Sequence, residues 1–300
     1  MKQRSYDPPR LLLAAASLGQ GARVPRDRML EVTERFREPE SLAVTLSKAL
    51  DAGAEGVLAT PSTALDAALS ELDRAVPMFA LLPSLPRTGR HDLEPGRMDP
   101  LDSAGRSDGG MRTAWTRFSR AWPLMRRDFG VLARVRIEAE AGRIPRRALA
   151  GVVVAAGVTD LALAAGHRRF FEKLVRFVHG RFRVRAAFET LNLGLLLARL
   201  REWEVHPDFV VGPVNPCGVM MKPSLAATID EMGRSQVPVV ATQLRATGLN
   251  TLDEGARFAL QHGALGLAPD LADMDDAGAE LGRLRSWREE KVRLEGSKRA

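Results

Sequence analysis

A chain of 300 residues, 45% of them hydrophobic, can bury a barrel-sized core, and its single cysteine excludes an internal disulfide and a Cys-rich metal site, as expected in a reducing, cytoplasmic setting. The formal charge of +7 invites a nucleic-acid reading, but 14 arginines against 8 acidic residues lie between Ser84 and Arg147, so most of the excess is local. Aromatic residues make up 5% of the chain and no recognition motif accompanies the charge, so nucleic acid is not an expected partner.

The N-terminus, MKQRSYDPPRLLLAAASLG, sets basic residues before a short apolar run, but Asp7, Pro8 and Pro9 interrupt the approach. A first core strand is the better reading than a signal peptide. Short runs rich in Val, Leu and Ala then recur, and the eight expected strands are Leu11–Ser17, Gly56–Thr60, Met78–Pro83, Asp160–Ala165, Val184–Thr190, Phe209–Asn215, Val239–Gln243 and Leu265–Pro269. Helix-length amphipathic segments separate most of them: Ser41–Ala52 stops at Gly53, Leu191–Glu204 before His206-Pro207, and Thr251–His262 at Gly263. Alternating strand and helix implies a parallel sheet, and continuous hydrophobicity within each run implies strands covered on both faces. Eight units match a closed (β/α)8 (TIM) barrel, read as one domain over residues 1–300. The absence of Gly-x-Gly-x-x-Gly after the first strand argues against a dinucleotide-binding fold.

Insertions are expected at about 19–40 and 84–147. Gly19–Glu40 and Ser84–Gly110 both follow strand ends and read as candidate lids or disordered loops. Between Trp115 and Leu132, apolar side chains recur at helical spacing among arginines, interrupted by Pro123. That stripe reads as an extra amphipathic helical segment, either packed on the barrel or used as a homo-oligomer contact. The nearly uncharged stretch 148–166 contains Asp160 and several glycines, a poor match to a membrane span, so no integral membrane segment is expected.

In such a barrel, chemistry gathers just beyond the strand ends. The residues there are Ser17 and Gln20, Thr60 and Ser62, Ser84, His167 with Arg168 and Arg169, Glu189 with Thr190 and Asn192, Asn215 and Cys217, Thr242, Gln243 and Arg245, and Asp270. Glu189, at the end of VRAAFET, is a carboxylate among apolar neighbours and the first candidate for a general base. His167 is the candidate second acid/base group. Asn215 and Gln243 are candidates to polarise a carbonyl, with Pro213 and Pro216 stiffening the turn in GPVNPCG. A structural role for Glu189 or His167 remains open at this stage, and Cys217 reads as a loop thiol. No expected strand contains a lysine, and Lys222 is expected to face water, which argues against a Schiff-base mechanism. The candidate ligands for a divalent metal come from four different strands without local spacing, so none is assigned, and no cofactor is identified.

The segment VPVVATQLRATGLNTLDEGARFALQHGALGLAPD resembles the seventh and eighth units of aldolase-type (β/α)8 barrels. The resemblance implies that Arg245 and the backbone around Thr247 and Gly248 bind a phosphate or carboxylate; Thr60 and Asp270, at other strand ends, are read from their position as further substrate-binding residues. The eighth strand departs from that pattern by ending in Ala268-Pro269-Asp270, where a glycine-rich turn would stand. A carboxylate or neutral polar substrate therefore stays open beside a phosphate. The functional expectation is proton transfer on a small polar, anionic substrate, as a lyase or isomerase. The alternatives are a flavin- or nicotinamide-dependent oxidoreductase and a non-catalytic binding or scaffold barrel.

Overall fold

The computed structural model describes residues 6–15, 26–84 and 129–297. Ser17, Gln20, the stretch 85–110 and nearly all of the 115–132 stripe lie outside the described residues. The elements, in chain order, are β1 (Leu13–Ala14), α1 (Arg26–Arg35), α2 (Pro39–Asp51), β2 (Val57–Ala59), α3 (Thr63–Ser70), β3 (Met78–Leu82), α4 (Phe129–Ala141), β4 (Leu149–Val154), α5 (Ala156–Ala164) and α6 (Arg168–Arg181). They continue as β5 (Arg185–Glu189), α7 (Leu193–Trp203), β6 (Phe209–Pro213), α8 (Leu225–Arg234), β7 (Val239–Thr242), α9 (Leu252–Gln261), β8 (Gly266–Leu267) and α10 (Ala277–Ser297). Short 3-10 helices, Ala246–Gly248 and Leu271–Asp273, follow β7 and β8.

All eight strands pair in parallel in the order of the chain. The sheet closes on itself through the bridges Leu11–Leu267 and Ala14–Asp270, with Leu12 N–H donating to the Leu267 carbonyl at 2.9 Å. The chain thus folds as a (β/α)8 barrel, the expected class.

Two layers of core follow from the two-residue period of a strand. Leu12, Ala14, Leu58, Phe79, Leu81, Val153, Ala187, Phe209, Val211, Val240 and Ala268 form the inner cluster that fills the barrel. Phe79 and Phe209 meet edge to face inside it, their ring centroids 5.9 Å apart. The other face of each strand packs with the helices in a larger outer cluster. Gly151 makes room for the first of those rings: a Cβ there would lie 2.8 Å from Phe79 Cδ1.

The helices obey the local signals in their sequences. Ser62 and Ser224 cap α3 and α8 through their hydroxyls, and Thr251 with Glu254 forms a reciprocal capping box on α9. The fourth expected strand is displaced. Residues 160–165 lie in or just beyond α5, and the strand is Leu149–Val154 upstream of it. The physical reason is local: Val152, Val153 and Val154 are β-branched and pack inside a sheet, whereas the Ala- and Leu-rich stretch after them favours a helix. The expected loop at 19–40 also contains structure, because α1 and the start of α2 fall within it. Among the described residues no helix is long and apolar enough to cross a membrane.

Candidate functional site at the C-terminal rim

Extending the inward parity of each strand upward by one step carries the interior from apolar to polar. On β2, Leu58 is followed two residues later by Thr60; on β5, Ala187 by Glu189; on β7, Val240 by Thr242; and on β8, Ala268 by Asp270. Alternation therefore turns four polar side chains toward the mouth at the same end of a barrel whose interior below is apolar. Three of the four were expected as site residues, and Thr242 was among the strand-end candidates.

Glu189 is half-buried, and its Oε2 accepts the Ala156 N–H at 3.0 Å, which ties the end of β5 to the first residue of α5. Next to it, Thr190 is fully buried on the outward parity and donates its hydroxyl to Asp160 Oδ1, while Leu191 N–H donates to Asp160 Oδ2 at 3.1 Å. Asp160 was not among the expected residues. It belongs to a helix that had been read as strand, so its position beside Thr190 depends on how α5 lies against β5.

Other expected residues are placed elsewhere or are occupied. His167 follows α5, not a strand, and is exposed at the turn into α6. Its expected place at a strand end was inherited from the misplaced fourth strand. Asn215 is fully buried, but its carboxamide closes on its own loop, donating to the Val219 carbonyl and accepting the Val219 N–H, each at 3.0 Å. This answers why a strand should end in GPVNPCG: the asparagine clamps the turn. Ser84 is drawn to α4, where its N–H donates to Glu140 at 2.8 Å. Lys222 and Cys217 are exposed.

The loop after β7 is held under backbone strain. Gln243, Ala246 and Thr247 adopt positive φ of 52°, 48° and 59°, a region that side chains with a Cβ seldom occupy. Two contacts offset that cost. Asn250 Nδ2 donates to the Leu244 carbonyl at 2.7 Å, and the same carbonyl lies so close to α9 that a Cβ on Gly255 would fall 1.8 Å from its oxygen. Only glycine permits that approach. The Gly248 N–H, an expected anion contact, is donated to the Arg245 carbonyl at 2.8 Å, and the Thr247 hydroxyl donates to the Ala246 carbonyl at 2.6 Å.

Arg245 reaches across to the loop after β8, where its Nη1 donates to the Asp273 carbonyl at 3.0 Å. Asp270 caps the 3-10 turn, its Oδ1 accepting the Ala272 N–H at 2.9 Å. Helix α1 braces the same turn: Arg28 Nε donates to the Ala272 carbonyl at 2.6 Å and its Nη2 pairs with Asp275, while Arg35 donates to the carbonyls of Met274 and Asp275. Burial pushes the Asp273 carboxyl up to about 7; the charge of Asp270 adds to the rise, and Arg245 and Arg28 oppose it. Asp273 was missed in the sequence, although its spacing of three from Asp270 is the one a 3-10 turn stacks.

Among the described residues no three ligating side chains come together as a metal site. A cavity of about 400 Å³ lies among Leu200, Arg201, Glu204, His206, Arg234 and Val237, by the segments leading into β6 and β7, at the opposite end from the polar rim. Its arginines pair with Glu231 and Asp230, so the fold already uses their charge.

No family model matches the chain, and no curated protein matches it. Solved structures similar to it include a putative dihydrodipicolinate synthetase from Pseudomonas aeruginosa, at 11% identity and a TM-score of 0.47 over 96% of this chain and 80% of the other. An N-acetylmannosamine-6-phosphate 2-epimerase from Clostridium perfringens follows at 10% and 0.43, over 97% and 93%, and an aldo/keto reductase from Brucella melitensis at 11% and 0.41, over 91% and 92%. These scores are too low to carry an argument of their own, and the barrel assignment rests on the strand pairing.

Proposed function

We propose that the chain is a (β/α)8-barrel enzyme that acts on a small polar, anionic molecule by proton transfer, as a lyase of aldolase type or an isomerase. The observation that carries this reading is strand parity: Thr60, Glu189, Thr242 and Asp270 are four polar residues of inward parity at one rim above an apolar interior. Glu189 is the proposed base. Its bond to the Ala156 N–H fixes the carboxylate at the rim, as proton abstraction requires of a positioned group. Arg245 and Gln243 would lie against the substrate's charged and carbonyl ends, while Asn215 would act by holding the loop after β6 in place. His167 is left out of the machinery because it is exposed at a helix-helix turn. The barrel is taken to work as one domain in the cytoplasm.

The test is Glu189→Gln, which can keep the bond to Ala156 through its amide oxygen while losing basicity. Substrates would be sought by following solvent-deuterium incorporation into small keto and hydroxy acids. Loss of exchange in Glu189→Gln at an unchanged melting temperature supports the proposal. Retained exchange overturns it, and unfolding would mark Glu189 as structural and favour the binding or scaffold reading.

A further inference from the structure

The charge of the chain is sorted by face. Residues 129–185 hold twelve Arg or Lys against four Asp or Glu, a net +8 in a chain whose total is +7. Residues 38–77 hold seven acidic residues against Lys48 and Arg74, a net −5. The fold turns these stretches into two surfaces. α4 packs on α6, and Arg181 Nε pairs with Glu138 at 2.9 Å across the seam. On α6, Arg169, Lys173 and Arg176 are exposed at spacings of four and three, a stripe on the outer face opposite buried Phe171, Leu174 and Val178. Arg143, Arg146 and Arg147 are exposed in the turn from α4 into β4. Of these six, only Arg176 meets a carboxylate among the described residues, that of Glu172 at 3.8 Å.

α2 packs on α3, and Glu38, Glu40, Asp66, Glu71 and Asp73 are exposed on these helices or at their ends. None of the five has an ion-pair partner among the described residues, and nearby Arg74 is held by Asp51 at 2.9 Å. The basic face offers charge and little else. No large apolar side chain is exposed on α4 or α6 among the described residues, and Phe177 and Phe182 turn onto each other with ring centroids 5.7 Å apart. It therefore lacks the protruding apolar group that holds a lipid surface and the free aromatic ring on which single-stranded bases stack. The acidic face of another copy supplies the complementary charge.

We propose that copies of this chain associate head to tail, the basic α4/α6 face of one docking on the acidic α2/α3 face of the next. Each unit of an eight-unit barrel takes about 45° of the circumference, so α6, which leads into β5, stands about 90–135° from α3 and α2, which lead into β3 and β2. Two convex faces that far apart cannot both meet the same neighbour. The contact is therefore heterologous and propagates into a ring or an open chain. Built on exposed charges, it is weak and sensitive to salt. The inference is independent of the reaction proposed for the barrel mouth.

Sedimentation velocity of the full chain, from micromolar to sub-millimolar concentration, tests it. In ~0.02 M salt the weight-average mass should climb with concentration beyond that of a dimer, and in ~0.5 M salt it should fall to that of the monomer. Neutralising the stripe (Arg169→Gln/Lys173→Gln/Arg176→Gln) or the acidic face (Asp66→Asn/Glu71→Gln/Asp73→Asn) should each weaken association about tenfold or more at an unchanged melting temperature. Should a triple variant melt low, Lys173→Glu and Glu71→Lys take its place, each weakening association by itself. An equimolar mixture of the two neutralised variants retains one native pair of faces and should stop at a heterodimer. A monomer at every concentration in low salt, association untouched by either set of substitutions, or a mixture that stays monomeric would overturn the inference. Binding of a ~20-base-pair DNA duplex or of phosphatidylserine vesicles by the basic face, without self-association, would overturn it in favour of a polyanionic partner.

Discussion

The floor and the rim of the barrel are built from similar ingredients and use them in opposite ways. At the floor, Asp208 stands just before β6 with its side chain 5% exposed, and it accepts hydrogen bonds from His179 Nε2 at 2.7 Å, from Ala186 N–H at 2.7 Å and from Tyr6 N–H at 3.3 Å. The Tyr6 ring leans on His179, the centroids 5.6 Å apart, and its hydroxyl donates to the Arg183 carbonyl at 2.8 Å. These bonds tie the segment before β1 to β5, β6 and α6. At the rim, Thr242 Oγ1 and Arg245 Nε are buried and have no hydrogen-bond partner among the described residues. A buried polar group without a partner costs about 1–3 kcal/mol. The floor cluster is fully bonded, whereas the rim combines bonded groups such as Asn215 and Asp270 with the two unpartnered atoms of Thr242 and Arg245.

The largest effect is expected from breaking the floor. Asp208→Ala strands the Ala186 and Tyr6 amides and the His179 ring, so equilibrium unfolding in urea should show a loss of about 3–5 kcal/mol. A loss below ~1 kcal/mol would mean that the cluster is not what holds the N-terminal segment. At the rim, Glu189→Gln should lower turnover about 100-fold or more with little change in stability, the converse of the floor variant.

The carboxyl of Asp273 gives the comparison a pH dependence. Its folded pKa of about 7 lies above the 3.8 of an ordinary aspartate, so the folded state binds the proton more tightly than the unfolded chain. The stabilising contribution is complete below about pH 4 and is lost as pH rises through about 7. Asp273→Asn should therefore be more stable than the parent at pH 8, by about 2 kcal/mol after discounting for residual solvent screening. That advantage should vanish toward pH 4, as thermal melts at the two pH values would show. The smallest expected effect is Thr242→Val, a near-isosteric swap that removes an unpartnered hydroxyl. Stability should stay within ~1 kcal/mol or rise slightly. A larger loss would show that Thr242 is bonded like the floor residues, and that the rim is not different in kind.

The strand ends show how far sequence patterns reach. Seven expected strands coincide with observed ones to within a few residues, because a buried parallel strand writes itself as a short apolar run closed by glycine, proline or a polar residue. Thr60, Glu189 and Asp270 could be found the same way, since each is the first polar residue after such a run. In the fourth unit the rule failed, because LAGVVVAAGVTDLALAAG is apolar throughout and contains both a strand and a helix. Period alone does not part them.

The sequence by itself determined the eightfold alternation, the caps at Ser62, Ser224 and Thr251, and the polar residue that ends each of several strands, because all of these are set by neighbours within a few positions. Only the tertiary structure decided which polar residues are satisfied. Asn215 closes on Val219, Asp160 meets Thr190 from a helix lying against β5, and Arg28, far away in the chain, braces the turn that carries Asp273. Partnership of this kind depends on distances between elements remote in sequence, and those are fixed only once the barrel has closed between β1 and β8.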